Sequence, residues 1–157
     1  MPVLLYRVDD RLIHGQVVLG WGQAMGVEFI VLVDDQVRAS AWEQDLYRMG
    51  VPGEVELIFA DVAEAVRRLP EWEGGPRRGL VLTGDLDTMS SLRAGSRLVG
   101  RINLGGIHHK PGRTERLPYL YLTDEELRSA LALAESGAEV TAQDLPGSPP
   151  VPVRTLA

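Results

Sequence analysis

Val3-Leu4-Leu5-Tyr6-Arg7-Val8-Asp9-Asp10-Arg11-Leu12-Ile13-His14-Gly15-Gln16 carries an apolar run into two acids, then into His-Gly and a segment of helical character. The run predicts a strand over Val3–Val8, and the periodicity after it predicts a helix over about 16–25. Further apolar, β-branched runs predict strands over 28–33, 54–59, Gly79–Thr83, 98–104, 117–122 and 138–142. Helical segments separate them, with readable starts. Ser40/Glu43, Asp61/Glu64 and Thr123/Glu126 all have capping-box spacing. Val62, Ala65, Val66 and Leu69 keep the i, i+3, i+4, i+7 spacing, and Pro70 is expected to stop that helix. Leu127, Ala130, Leu131 and Ala134 repeat the spacing, with Gly137 placed as a C-terminal cap. Strands alternating with helices predict an α/β domain with a doubly wound, largely parallel sheet. Trp21, Trp42 and Met25 fall on helical apolar faces and are expected in the core.

The chain has 157 residues, 45 % hydrophobic and 24 % charged, which suits one ordinary globular domain. Residues 1–145 are expected to form it. Pro146-Gly147-Ser148-Pro149-Pro150-Val151-Pro152 predicts an extended surface tail over 146–157. With no cysteine, disulfides, thiolate metal sites and thiol nucleophiles are excluded. A net charge of −6 argues against nucleic-acid or anionic-lipid partners. No run is long enough for membrane insertion, and Met1 to Asp10 lacks the parts of a signal peptide. These features lead to the expectation of a cytoplasmic protein.

Ligands of open parallel sheets bind beyond the carboxyl ends of the strands, where the loop after the first strand lies. His14 is expected in that strand-to-helix turn. Gly15 permits close approach of a ligand, and the amides from about Gln16 onward form a helix N-terminus that favours an anion. Arg11 supplies a planar cationic fork suited to phosphate oxygens. Neutral imidazole is a competent nucleophile near pH 7. Asp9 and Asp10 would repel a phosphate, so one is expected to fix the ring tautomer or brace Arg11 and the other to cap a turn. Each feature alone has a plain structural reading, such as a solvated turn with a surface ion pair. In this order they define an anion site with a nucleophile in it.

Thr83 and Gly84, at the end of the fourth predicted strand, and Gly105, Gly106 and His108, after the fifth, are candidates to face the same cleft. A simple Gly-Gly turn explains the second group equally well. Gly20-Trp21-Gly22 resembles the start of a dinucleotide fingerprint but lies within a helix and lacks its third glycine. His108 and His109 are adjacent, so an extended segment points them apart, and no metal or organic cofactor is expected.

The string Arg7 to Val17 resembles the signature of the mannose/fructose/sorbose family of phosphotransferase-system IIB components. Val33-Asp34-Asp35, Asn103-Leu104-Gly105-Gly106 and 140–146 (Val-Thr-Ala-Gln-Asp-Leu-Pro) fit in order, so the resemblance covers essentially the whole chain. It implies a doubly wound α/β carrier whose loop histidine takes phosphate from a phospho-IIA protein. The phosphate then passes to a sugar held by the membrane permease components IIC and IID. By position that histidine is His14, the loop arginine is Arg11, and amides around His14 to Gln16 cradle the phosphate. Two rivals stay open on the residues alone: a regulatory module that signals its phosphorylation state, and a hydrolase or isomerase of a small sugar phosphate.

Overall fold

The computed structural model describes residues 2–157; Met1, the start of the N-terminal segment read above, lies outside them. Among these residues the elements run β1 (Val3–Val8), α1 (a π-helical stretch Gln16–Gly22 continued by an α-helical turn Gln23–Met25), β2 (Phe29–Val33), α2 (Asp35–Arg38), α3 (Ala41–Arg48) and β3 (Glu56–Ala60). They continue as α4 (Val62–Gly74), β4 (Gly79–Thr83), α5 (Leu86–Gly95), β5 (Arg101–Leu104), β6 (Thr114–Leu117), β7 (Leu120–Leu122), α6 (Asp124–Glu135), β8 (Glu139–Ala142), β9 (Val151–Pro152) and a closing 3-10 helix (Val153–Leu156). The sheet has the order β3-β2-β4-β1-β5-β8-β9, and every pairing is parallel except β8 with β9. The expected doubly wound architecture is therefore present.

Alternation along β1 divides the core. Tyr6 and Val8 face a layer built with α4, α5 and α6, whereas Leu5 faces α1 and α2; a register irregularity between Val3 and Leu5 turns Val3 to the first layer as well. Adjacent strands β1 and β4 thus send their following helices to opposite faces. Their carboxyl ends therefore form the switch point of the sheet, the usual ligand position of such folds. Among the described residues no helix is long and apolar enough to cross a membrane.

The Asp61/Glu64 and Thr123/Glu126 capping boxes both close. The Ser40 box does not: Ser40 makes no side-chain cap, and Glu43 Oε2 is buried without a partner. Pro70 does not stop α4, which runs through it to Gly74. The missing amide bond is offset beyond it, where Trp72 is buried and Glu73 accepts from the Tyr6 hydroxyl at 2.8 Å and the Val3 amide at 3.2 Å. The strand expected over 117–122 is a separate antiparallel hairpin of β6 and β7, because Pro118 and Tyr119 fall at a turn. Trp21 lies in the core and Met25 packs against it, but Trp42 is 70 % exposed, since α3 turns other residues inward.

The C-terminal expectation also needs correction. Residues 146–150 are irregular, yet Val151 and Pro152 pair with β8 and Val153 is buried. Pro152 fits an edge strand because an edge leaves its missing amide without a required partner. The segment is therefore part of the domain's packing and not a surface tail.

Candidate active site

β1 ends at Val8, and the chain turns over the carboxyl edge of the sheet. The Asp9 amide donates to Thr83 O at 2.9 Å and the Leu12 amide to Asp9 O at 3.0 Å, closing a tight turn. Leu12 adopts φ 59°, a left-handed conformation that typically costs a branched residue about 1–3 kcal/mol. Its side chain is buried over Gly84, where an added Cβ would come within 3.0 Å of Leu12 Cδ2. Burial of that leucine offsets the strain, and the turn brings His14 back over Asp9.

The Asp9 carboxylate has no exposed surface and is the hub of the loop. Oδ1 accepts from the Arg11 amide at 3.1 Å and from Arg11 Nε at 3.3 Å. Oδ2 accepts from Arg7 Nη2 at 3.3 Å and from the Gly106 amide at 3.3 Å. His14 Nε2 lies 3.2 Å from the same Oδ2, buried without a hydrogen-bond partner. Burial pushes the Asp9 acid upward, but Arg11, His14 and Arg7 together hold it below the ordinary carboxylate range. Asp9 is thus ionised at neutral pH.

His14 keeps 17 % of its side chain exposed. Its Nδ1 accepts from the Gln16 amide at 3.3 Å, at the entrance to α1. Burial lowers the ring's pKa, Asp9 pulls it up, and Arg11 and Arg7 push it down, for a net value below the usual 6.5. The ring is neutral at pH 7, with Nε2 beside a carboxylate that favours a proton there and Nδ1 left with its lone pair. Arg11 is one-third exposed and reaches across from Asp9 to Gln16 Oε1. Gly15 has open space around it.

Of the remaining candidates, Asp10 joins this loop to the segment after β5. It accepts from the His108 amide at 2.8 Å and contacts His108 Nδ1 at 2.6 Å, while its own amide donates to Gly106 O. His109 points elsewhere, its ring edge-on to Tyr121 at 5.7 Å. Thr83 is fully buried beneath the loop, and the Leu12 side chain packs against Gly84, which stays partly exposed. Among the described residues no three His, Asp or Glu side chains gather as a metal site.

The sequence reading missed Arg7. Its side chain is fully buried, on the α1 face of β1, with its guanidinium 4.8 Å from the Trp21 ring centroid. It donates to Asp9, to Asn103 Oδ1, and to the carbonyls of Gln143 (2.9 Å) and Asp144 (3.1 Å). Trp21 Nε1 shares the Asp144 carbonyl at 3.1 Å. An available signal was a charged residue inside an otherwise apolar strand. Gly105 and Gly106 are explained by the same guanidinium groups. A Cβ on Gly105 would lie 2.7 Å from Arg7 Nε and closer still to Cζ, and one on Gly106 would lie 2.9 Å from Arg11 Nη2. Neither glycine has a left-handed φ, so space and not backbone freedom requires them.

The arrangement offers a neutral imidazole nucleophile and an adjacent cationic fork beside the start of a helix. These are the needs of a group that receives and releases a phosphoryl unit. A family model described as PTS system sorbose subfamily IIB component matches residues 3–156. The N-acetylgalactosamine-specific phosphotransferase enzyme IIB component 1 of Escherichia coli K12 is 28 % identical over 149 residues, covering 92 % of each chain. The PTS system mannose-specific EIIAB component of the same strain is 27 % identical over 158 residues. That match takes in 99 % of this chain and 48 % of the relative, so the chain spans about half of that protein. The crystal structure of the Escherichia coli N-acetylgalactosamine-specific IIB component 1 superposes with a TM-score of 0.87 at 25 % identity. It covers 95 % of this chain and 97 % of the other.

Proposed function

The chain belongs to the PTS system sorbose subfamily IIB component family, and from that membership we propose that it is a phosphocarrier with His14 as the phosphate acceptor. A phospho-IIA protein donates to His14, and phospho-His14 donates to a sugar held by the membrane components IIC and IID. The activity is that of a protein-N(π)-phosphohistidine–sugar phosphotransferase working on the cytoplasmic side.

The observation that carries this reading is the orientation of the His14 ring. With Nε2 turned to the buried Asp9 carboxylate and Nδ1 turned to the Gln16 amide, Nδ1 is the nucleophile. The Gln16 amide releases Nδ1, whose lone pair attacks the phosphorus as the N–P bond to the donor's histidine breaks, and that histidine keeps the departing pair. The proton on Nε2 stays beside Asp9, which stabilises the charge the ring gains. Arg11 and the amides at the start of α1 neutralise the phosphoryl oxygens, a task of positioning and electrostatics that needs no further chemistry from the protein. In the second transfer a sugar hydroxyl oxygen bonds to the phosphorus as the N–P bond breaks; Nδ1 keeps the pair, and the hydroxyl proton passes to solvent or to a base at the sugar's site.

Incubation with phosphoenolpyruvate and the soluble phosphotransferase components should add one acid-labile, base-stable phosphate, on Nδ1 of His14 by ³¹P and ¹⁵N NMR. His14→Ala should take none, whereas His108→Ala and His109→Ala should be labelled normally. Label that survives His14→Ala and disappears in either other variant would identify a different acceptor. Wild-type protein that is never labelled but turns over free sugar phosphates would replace the carrier with the hydrolase or isomerase reading.

A further inference from the structure

α3 does not behave as an ordinary surface helix. Trp42, Leu46 and Met49 follow one another at i, i+4 and i+7, the spacing of a buried stripe, yet they are 70 %, 57 % and 84 % exposed. The helix docks instead through Tyr47, which packs on the core beneath α1, and through Gln44, whose Nε2 donates to the carbonyls of Val37 (3.1 Å) and Arg38 (2.9 Å). The stripe is therefore held outward by its own anchors. Its end meets the reactive loop: Gly50, whose amide donates to Tyr47 O, lies against Ile13, with Ile13 Cγ2 3.7 Å from where a Cβ would stand. Ile13 precedes His14. Leu19, 57 % exposed, lies on α1 one turn beyond Gly15. An exposed tryptophan in a contiguous apolar surface is the composition of an interface centre, not of an isolated surface residue.

We propose that Trp42, Leu46 and Met49, continuous through Ile13 with the His14 loop, form the docking surface for the protein that delivers the phosphoryl group. The proposal rests on the carrier reading of His14. Its occupant follows from the reaction: a histidine that receives phosphate from another protein's histidine must be approached closely by that protein's surface. That surface must cover what borders the loop. The apolar stripe borders it on the α3 side, and its ionic partners are few, since Arg48 is paired with Asp45 at 3.2 Å in its own helix. The donor accordingly presents an apolar patch beside its phosphohistidine, with the phosphoryl charge directed to Arg11.

The test compares two phosphoryl sources on the full chain and its Trp42→Ala, Leu46→Ala and Met49→Ala variants, all at exposed positions. Phosphorylated IIA component of this family is titrated to give KM and kcat, and phosphoramidate, a small donor, reports the chemistry of His14 alone. Trp42→Ala should raise KM for phospho-IIA about 10-fold or more, in the range of an interface hot spot, with Leu46→Ala smaller. kcat, the phosphoramidate rate and the unfolding temperature should stay near wild type. Unchanged KM in all three variants would overturn the docking surface while leaving the carrier intact. So would a wild-type dimer that Trp42→Ala dissociates without changing KM, because a second copy would then be the occupant. Wild-type protein that accepts phosphate from neither source would overturn the carrier reading and the docking surface together.

Discussion

Gly105 and Gly106 are neighbours of the same type, and replacing each with alanine should have opposite consequences. A Cβ at Gly105 would lie 2.7 Å from Arg7 Nε and nearer to Cζ, where normal contact needs well over 3 Å. The guanidinium would have to move by roughly 1 Å, but Trp21 lies over its face and the side chain is fully enclosed. Moving it loosens donors to Asp9, Asn103, Gln143 O and Asp144 O and strands a buried charge. Disrupting such a buried pair costs about 3–5 kcal/mol. At roughly 2–4 °C per kcal/mol for a chain of this size, Gly105→Ala should melt about 10 °C below wild type. A Cβ at Gly106 would lie 2.9 Å from Arg11 Nη2, at the far end of a side chain that is one-third exposed and can swing into solvent. Gly106→Ala should stay within about 1 kcal/mol of wild type, the usual range of a tolerated surface change. With Arg11 displaced, its phosphorylation by phosphoramidate should slow about 10- to 100-fold. Thermal unfolding and a small-donor phosphorylation assay on both variants decide the matter. If Gly105→Ala melts within about 2 °C of wild type, the buried guanidinium is not held as described.

Further outcomes concern protonation and the C-terminus. His14 has a folded pKa below its unfolded 6.5, so the unfolded chain binds the extra proton first. Its contribution to stability should be complete above about pH 6.5 and lost as pH falls through the window beneath that value, as urea titrations of wild type against His14→Ala would measure. Asp9→Asn removes the influence that raises the His14 pKa and leaves Arg11 and Arg7 opposing the charged ring. Its inflection in the rate–pH profile should move further downward, and an unchanged or upward inflection would contradict the assigned contact. Deleting residues 151–157 strips β9 and the buried Val153 and should lower stability by about 2 kcal/mol or more in denaturant unfolding.

The order of β1, the Asp-Asp-Arg loop, His14, Gly15 and α1 was legible because strand period, helix period and capping are short-range patterns written within a few residues. The capping boxes at Asp61 and Thr123 formed for the same reason. What the tertiary structure alone decided involves partners far apart in the chain. Arg7 is a buried support of the site because Asn103 and the carbonyls of Gln143 and Asp144 meet it from 96, 136 and 137 residues away. A charge inside an apolar strand marks the position, but nothing local names the distant partners that keep it from solvent. The Gly-Gly pair after β5 read equally well as a cleft wall or a plain turn, since the guanidinium groups that need its space arrive with another strand. Pro70 and Pro152 were likewise misjudged from local rules, which count a missing amide but not the Trp72 burial and the β8 pairing that outweigh it. Trp42 shows the converse: helical spacing marks an apolar face, and only packing determines whether the protein's own core covers it.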